Sequence, residues 1–250
     1  MKKYILFIIS MLMLSVLAMA QKTLYVHTID GDKVEFLMSD VAYIGIEDYI
    51  PSINANGHEY VDLGLPSGTL WATMNVGAKS PESYGGYYAW GETAQKYSYN
   101  WGTYKWCEGD YNTQTKYCTS SSYGTVDNKT ILEFFDDVAN AQWGGDWRMP
   151  TKEEQDELRN ECTWDRVTKI SVKGVTVTGP NGNSIFLPAA GYSSGPGLQG
   201  TDSFGFYWSR NLDSDYSVNA YCLYFGSSYV NSGDYSRDFG FSVRPVLKAK

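Results

Sequence analysis

Residue types that carry out catalysis or bind metals are few and scattered in this sequence of 250 residues. The two histidines, His27 and His58, are not spaced for a metal site or a catalytic triad, and no CxxC or HExxH motif occurs. Adjacent acids such as Asp136 and Asp137 stand in a segment with helical periodicity, where a solvated polar face is the simpler explanation. The sequence therefore predicts a protein without enzymatic activity, with no bound metal and no cofactor.

One segment, residues 211–238, has the composition of a binding surface. Of its 28 residues, 20 are Asn, Asp, Ser, Gly or Tyr, and five of these are tyrosines. Tyr offers a large amphipathic contact area at low entropic cost, while Ser, Gly and Asn adapt their hydrogen bonds, as in antibody paratopes. Ordinary loops between strands are the alternative, but turn chemistry explains the small polar residues and not the tyrosines. The candidate ligand-binding residues are Tyr216, Tyr221, Tyr229, Tyr235, Asn211, Asp213, Asp215, Asn219, Asn231 and Asp234, with Arg210 and Arg237 at the edges of the segment.

The first twenty residues have the pattern of a secretory signal peptide. Lys2 and Lys3 form a basic start, residues 4–17 are almost entirely apolar, and a small-x-small site ends at Ala20. The apolar run is short for a bilayer core of ~30 Å, which argues against the alternative of a membrane anchor. We therefore expect cleavage after Ala20, export to the periplasm, the outer surface or the medium, and no membrane span in the mature chain.

Charge and length restrict the partners and the number of domains. The net charge is −8, so nucleic acid, which basic patches recognise, is not an expected partner. A protein or a glycan on a cell surface is the expected one. The mature chain is long enough to bury a core, and its aromatic and glycine content is typical of a loop-rich domain that contains strands.

The four cysteines are too few to act as a disulfide scaffold for a chain of this length. Cys107 and Cys118 are eleven residues apart in a loop-like stretch, and export would permit their oxidation. Spacing does not fix the geometry of a disulfide, so a Cys107–Cys118 bridge and two free thiols both remain open. Cys162, which follows a predicted helix, is expected to be a buried apolar side chain.

The local patterns divide the chain into a small unit, a linker and one larger domain. Residues 21–50 are predicted to form a small β unit, with a hairpin turn at Asp30-Gly31 and a third strand over Tyr43–Ile46. Residues 51–58 have the composition of a linker. Residues 59–250 then form a single domain.

Two capping boxes predict two helices in that domain. Thr130 opens a helix over 131–142, with Phe134 and Phe135 on its buried face, and Thr151 opens a helix over 152–160. Short strands follow, which together with the strands before the helices predict an α+β fold with a mostly antiparallel sheet. These later strands are expected at 172–178, 184–187, 206–209, 220–225 and 241–247, with a hairpin turn at Asn181-Gly182 between the first two.

Six runs in this domain are highly specific, namely EYVDLGLPSGTLWA at 59–72, YAWGET at 88–93, WGGDWRMPT at 143–151, FLPAAG at 186–191, YWS at 207–209 and GFSVRPV at 240–246. They resemble the Fibrobacter succinogenes major paralogous domain family, over about residues 59–247. That resemblance implies an exported protein of gut-type bacteria with a C-type-lectin-like fold. It implies that the first and last strands pair, which would bring residues 70–72 or their neighbours near Val243. It also implies that the tryptophans of these runs form a framework.

Two further resemblances bear on function. The RMPT run at 148–151 and the terminal Gly-Phe-x-x-Arg are similar to the formylglycine-generating, sulfatase-modifying family, but Cys222 stands alone where that family uses a cysteine pair. Residues 211–238 resemble the variable region of lectin-fold proteins diversified by retroelements. We therefore expect an exported adhesion or ligand-binding protein. An enzyme-like relative of the sulfatase-modifying fold and a purely structural surface protein are the alternatives.

The tryptophans of these runs have two possible roles. Trp71, Trp90, Trp147 and Trp208 are expected to be mostly core residues, since an indole buries a large apolar area. A stacking platform for a sugar is the alternative role for the same side chains.

Overall fold

The structure, a computed structural model, divides the chain after Pro51 into two units. In the first unit two short strands pair in antiparallel register, with Thr23 opposite Leu37, as predicted for a hairpin. The predicted signal peptide and the third strand over Tyr43–Ile46 lie outside the described residues. The described residues are 23–27, 33–37 and 53–248.

Short antiparallel strands and two α-helices make up the described part of the chain, which is therefore α+β as predicted. The helices are α1 (Val138–Trp143) and α2 (Lys152–Glu161). In chain order the strands are β1 (Thr23–His27), β2 (Lys33–Leu37), β3 (Ile53–Ala55), β4 (His58–Asp62), β5 (Thr69–Ala72), β6 (Thr163–Lys169), β7 (Val172–Thr178), β8 (Ser184–Pro188), β9 (Tyr192–Ser194), β10 (Gly197–Gln199), β11 (Gly205–Leu212), β12 (Asn219–Phe225), β13 (Val230–Ser236) and β14 (Val246–Lys248).

A four-stranded sheet joins the beginning of the second unit to its end. Its strand order is β14-β5-β4-β3, and Val246 lies opposite Trp71. The last strand thus lies beside residues 70–72 as predicted, although its partner β5 is the third strand of the unit and not the first. The predicted linker over residues 51–58 differs from the structure, because Ile53 lies opposite Tyr60 in this sheet. The backbone hydrogen bonds of β3 make it part of the second unit rather than a connection to it.

The first helix begins later than the sequence predicts. Ile131 forms a β-bridge with Asn211, and the amide of Leu132 donates to a carbonyl group of β11, so the chain after Thr130 runs extended beside that strand. Thr130 therefore caps no helix, and the predicted helix over 131–142 is wrong in its first half. The helical spacing of its apolar residues did not outweigh the pairing with β11.

Helix α1 begins instead after Asp137. The carboxylate of Asp137 accepts hydrogen bonds from the amides of Ala139 and Asn140 and acts as the N-cap. Before it, a single 3₁₀ turn carries Phe134 and Phe135, whose rings are exposed rather than buried as predicted.

Helix α2 follows its prediction closely. The hydroxyl of Thr151 accepts a hydrogen bond from the amide of Glu154, while the Glu154 carboxylate accepts one from the amide of Thr151. This reciprocal capping box satisfies two amides that would otherwise lack partners at the helix start. The helix packs on the sheet of β11, β12 and β13, where Gln155 donates to the carbonyl oxygen of Tyr207 at 2.9 Å.

The segment predicted as a binding surface, residues 211–238, mostly forms strands. It contains the end of β11, all of β12 and all of β13, which pair in the order β11-β12-β13. Strand β13 was not predicted, and neither was β6, which precedes β7 and β8 in a second three-stranded sheet. The predicted strands over 172–178 and 184–187 and the turn between them are confirmed.

The core of the second unit lies on both faces of the β11-β12-β13 sheet. Trp208 and Cys222 belong to one buried cluster, while Tyr207 and Leu223 belong to another, because neighbouring residues of a strand point to opposite faces. The four framework tryptophans are buried, as expected for core residues. They are Trp71, Trp90, Trp147 and Trp208.

Candidate functional site

The register of the β11-β12-β13 sheet, which we call the central sheet, places the tyrosines of the predicted surface on two opposite faces. Tyr235 lies opposite Ala220, and Tyr221 lies opposite Asp234. Directly opposed residues share a face and successive residues alternate, so Tyr224 and Tyr235 share one face and Tyr221 lies on the other. The tyrosines therefore do not form the single surface that the sequence predicts.

On the face of Tyr235, seven aromatic side chains line one groove of about 230 Å³. They come from separate parts of the chain, namely β9, the connection before β11, β11 itself, the β12–β13 turn, β13 and the segment before β14. We call this feature the aromatic groove. Its lining residues are Tyr192, Phe204, Phe206, Tyr229, Tyr235, Phe239 and Phe241.

The rings of the aromatic groove hold one another in place. The ring of Phe206 lies 4.9 Å from that of Phe241 and 5.3 Å from that of Tyr235, the latter in an edge-to-face arrangement. Tyr192 stacks on Phe239 with 6.0 Å between ring centroids. Such offset and edge-to-face pairs are favourable beyond the area that they bury. The groove is thus formed before any ligand enters it.

Two aromatic rings at the groove are accessible to a ligand. Tyr229 is 39% exposed and Phe204 is 36% exposed. Tyr229 stands in the turn between β12 and β13, where Gly226 is required: a Cβ atom there would come within 2.6 Å of the Tyr229 ring. The glycine therefore allows this ring to fold back towards the sheet.

Hydroxyl groups give the aromatic groove some polarity. The hydroxyl of Tyr192 lies 3.0 Å from the amide oxygen of Gln199, to which it donates. Burial raises the pKa of Tyr235 to about 12, and neighbouring tyrosines contribute to the shift, so this hydroxyl keeps its proton at neutral pH. Within the part of the chain that the structure describes, the hydroxyls of Tyr229 and Tyr235 have no hydrogen-bond partner. Both are available to a polar group of a ligand.

A second groove, of about 540 Å³, lies beside the aromatic groove and shares Phe204 with it. Its polar lining comes from the β6–β7 hairpin, from residues 202–203 and from Ser227 in the β12–β13 turn. We call it the cationic groove, since it contains an arginine and a lysine. Its polar side chains are Arg166, Thr168, Lys173, Asp202, Ser203 and Ser227.

The structure distributes the four predicted tyrosine anchors over three places. Tyr229 and Tyr235 line the aromatic groove. Tyr221 lies on the opposite face, with the Lys152 ammonium 5.3 Å from its ring centroid. Tyr216, which is 58% exposed, stands in the turn before β12.

Several of the predicted polar residues stabilise the fold instead of facing a ligand. The carboxylate of Asp213 accepts from the amides of Asp215 and Tyr216 and so shapes that turn. Asn211 accepts from the amide of Lys152 at the start of α2. These contacts satisfy backbone groups with the side chains that were predicted to bind a ligand.

Two more of the predicted polar residues form a pair across the central sheet. Asn219 donates to the carboxylate of Asp234 at 2.7 Å, between the neighbouring strands β12 and β13. Asp234 is nevertheless exposed, as are Asp215 and Asn231. These three side chains remain accessible on the surface, outside both grooves.

The two predicted arginines are also committed to the fold. Arg237 is fully buried, donates to the carbonyl oxygens of Lys116 and Tyr117, and lies over the ring of Tyr104 at 5.2 Å. It cannot contact a ligand, so its prediction as a site residue is wrong. Arg210 donates to the carbonyl oxygen of a residue in the extended stretch before α1.

The predictions missed most of the aromatic groove. Tyr192, Phe204 and Phe239 were not singled out, and Phe206 and Phe241 were assigned only to framework strands. A signal was present, since both ends of the tyrosine-rich segment are flanked by aromatic residues. Nothing in a single sequence, however, shows which of these residues point into the same groove.

All four cysteines are free thiols in the structure. The Cys107 thiol lies beside the carbonyl oxygens of Trp101 and Tyr104, whereas that of Cys118 is buried beside the carbonyl oxygen of Ser120. The two sulfur atoms thus have different surroundings, and no disulfide joins Cys107 to Cys118 in the structure.

Among the described residues, no group of three His, Cys, Asp or Glu side chains is placed to hold a metal ion. No helix in the same part of the chain has the length and apolar composition that crossing a bilayer requires. Comparisons with family models, with curated proteins and with solved structures found no match to this chain.

Proposed function

We propose that this chain is an exported, non-catalytic binding protein and that the aromatic groove is its ligand site. One observation carries the proposal: seven aromatic side chains from separate parts of the chain converge on an open groove instead of closing over one another. Ligand sites are typically concave and mostly apolar, with a few polar groups that orient the ligand. The free hydroxyls of Tyr229 and Tyr235 are such groups.

We further propose that the second unit is a C-type-lectin-like domain of the Fibrobacter succinogenes major paralogous family. The sequence runs that resemble this family support the proposal. Two features of the structure are compatible with it, namely two helices and the pairing of β5 with β14 at the two ends of the domain. Export is proposed from the pattern of residues 1–20.

A glycan is the ligand class that the aromatic groove favours. The C–H faces of a sugar ring pack on aromatic faces, and its hydroxyls need polar partners nearby. The exposed rings of Tyr229 and Phe204 offer such faces, and hydroxyls from both grooves lie around them. A protein partner is the second candidate, because the exposed Tyr216 lies near Asp215 on a turn outside both grooves.

The proposal is tested with an array of purified oligosaccharides and with two matched variants. Tyr229→Ala removes an exposed ring of the aromatic groove, whereas Tyr216→Ala removes an exposed ring of the same segment outside it. We expect binding of the wild type, at least about ten-fold weaker binding of Tyr229→Ala, and unchanged binding of Tyr216→Ala, since truncation of a central aromatic contact costs more than 1 kcal/mol.

Thermal melting of both variants provides the control for folding. Both rings are exposed, so neither change should alter the melting temperature by more than a few degrees. Failure of the folded wild type to bind any oligosaccharide would contradict the glycan proposal. If only Tyr216→Ala lost binding, the ligand site would be assigned to the turn before β12 and not to the aromatic groove.

A further inference from the structure

We infer that the ligand of the aromatic groove is an acidic glycan whose uronic acid carboxylate binds in the cationic groove, between Arg166 and Lys173. This inference rests on the proposed function and specifies its substrate class. It starts from the position of the two grooves, which share the side chain of Phe204. An oligosaccharide that stacks on Phe204 therefore reaches both grooves.

The register of the β6–β7 hairpin directs both cations to one face. Lys173 lies opposite Thr168, and Arg166 lies opposite Val175. Alternate residues of a strand share a face, so these side chains share the face of Val175, which is buried in the core. Near the turn of the hairpin, Arg166, Thr168 and Lys173 thus line the cationic groove together.

The guanidinium of Arg166 is held in position at the boundary of the two grooves. It donates to the carbonyl oxygen of Tyr229 at 2.9 Å and lies 5.1 Å from the centroid of the Phe225 ring. This arrangement leaves other N–H groups of the planar guanidinium for a ligand, since Arg has five such donors. A bidentate contact with a carboxylate is the interaction that this geometry favours.

Neither cation of the groove has an acidic partner. The ion pairs of the described residues are made by Lys96, Lys105, Lys116, Lys129, Arg148, Lys152 and Arg159. Arg166 and Lys173 are absent from this set, although the chain is acidic. The carboxylate of Asp202 is engaged by the amide of Lys173 and by the hydroxyl of Tyr84. Arg166, Lys173 and Asp202 together carry one net positive charge, which an anionic ligand would neutralise.

A single carboxylate fits this groove better than a densely charged polyanion. The net charge of −8 repels polyanions at long range, and Asp202 adds a negative charge inside the groove itself. Hydroxyls of Thr168, Ser203 and Ser227 surround the cations, and they can hydrogen-bond with the hydroxyls of a sugar. A uronic acid presents this combination of one carboxylate and several hydroxyls.

Calorimetry with matched oligosaccharides tests the inference on the whole mature protein. The probes are tetramers with a single galacturonic or glucuronic acid residue, each paired with the neutral tetramer in which that carboxyl group is replaced by a primary alcohol. We expect at least one acidic tetramer to bind about ten-fold or more tightly than its neutral counterpart, as is typical of a charge-assisted hydrogen bond. Added salt should weaken this preference.

Three variants test whether Arg166 and Lys173 bind the carboxylate of the ligand. Arg166→Gln and Lys173→Gln each remove one cation of the groove, and each should weaken binding of the acidic tetramer about ten-fold more than binding of the neutral one. Lys169→Gln is the matched control, because Lys169 belongs to the same hairpin but lies over the ring of Phe186, outside the groove. It should bind both tetramers as the wild type does.

The outcomes separate this inference from the proposed function. Equal affinity for the acidic and neutral tetramers overturns the inference and leaves glycan binding in place. Tighter binding of a sulfated tetramer than of the uronic acid tetramer also overturns it, in favour of a sulfate site. Binding of no tetramer overturns it as well, and the oligosaccharide array then decides the proposed function separately.

Discussion

The indole ring of Trp208 stacks on the phenyl ring of Phe241, with centroids 4.1 Å apart and 23° between the planes. Trp208 is fully buried, and its Nε1–H donates to the carbonyl oxygen of Tyr88 at 2.9 Å. Phe241, in turn, lines the aromatic groove and packs on Phe206. The wall of the groove is therefore continuous with the hydrophobic core. This continuity explains how an open, largely apolar groove keeps its shape.

Replacing Trp208 with Ala should lower the free energy of unfolding by about 3–5 kcal/mol, because a large side chain is lost from a packed core. The substitution also leaves the carbonyl oxygen of Tyr88 without this donor. Urea unfolding followed by circular dichroism measures the change. Tyr97→Ala, at a ring that is exposed, is the control and should be nearly neutral. Equal stability of the two variants would contradict the core assignment of Trp208.

The sequence predicts well those elements that have local signals. Helix α2 begins at Thr151 because both partners of its capping box lie within four residues of each other. Strands β7 and β8 have β-branched residues and a strong turn signal at Asn181-Gly182. Such features depend on neighbouring residues alone, so a single sequence contains them in full.

Features that depend on distant residues could not be predicted. Strand β13 contains Asn, Ser, Gly and Asp, which rarely form strands, and it is extended because β12 offers a pairing edge. Arg237 has the sequence context of a loop arginine, yet it is buried against carbonyl groups some 120 residues away. The aromatic groove could not be predicted for the same reason, because its residues come from separate parts of the chain.

A polar substitution at Phe135 should be tolerated. The helical spacing predicted a buried ring, but Phe135 is 87% exposed in the structure. Phe135→Ser should therefore change the free energy of unfolding by less than about 0.5 kcal/mol. Leu132→Ala, three residues earlier at a buried site, should cost about 2–5 kcal/mol. A large loss of stability in Phe135→Ser, measured by thermal melting, would show that this ring is buried, as the predicted helix requires.

The side chain of Asp137 should contribute more to the free energy of unfolding than that of Thr130. Its carboxylate caps α1 and also accepts a hydrogen bond from the amide of Met149 at 2.9 Å. Asp137→Ala removes the cap and leaves buried amides unpaired, so we expect a loss of at least about 2 kcal/mol. Thr130→Ala should cost less than about 0.5 kcal/mol, as it removes no cap. Urea unfolding of both variants would contradict this assignment if Thr130→Ala were the less stable.

The four thiols should react in two classes. Cys118 and Cys222 are fully buried, whereas Cys107 and Cys162 are only partly buried. Burial raises the pKa of Cys107, and it raises that of Cys162 to about 11, so even these two react slowly with a thiol reagent. Peptide mapping after alkylation of the native protein should find label only on Cys107 and Cys162. A disulfide-linked peptide that joins Cys107 to Cys118 would contradict the free-thiol state.

Stability should fall at alkaline pH as buried tyrosines ionise. Burial raises the pKa of Tyr84, Tyr207 and Tyr235 to about 12, above the usual value of 10.0. Since the unfolded chain releases these protons first, their contribution to stability is fully present below pH 10 and is lost between pH 10 and about 12. Urea unfolding across this range should give a falling free energy of unfolding. The loss should be smaller in Tyr235→Phe, which keeps the ring but has no proton to release, than in the wild type or in the exposed-site control Tyr216→Phe. An identical pH dependence in all three proteins would contradict the raised pKa of Tyr235 and its contribution to the alkaline loss of stability.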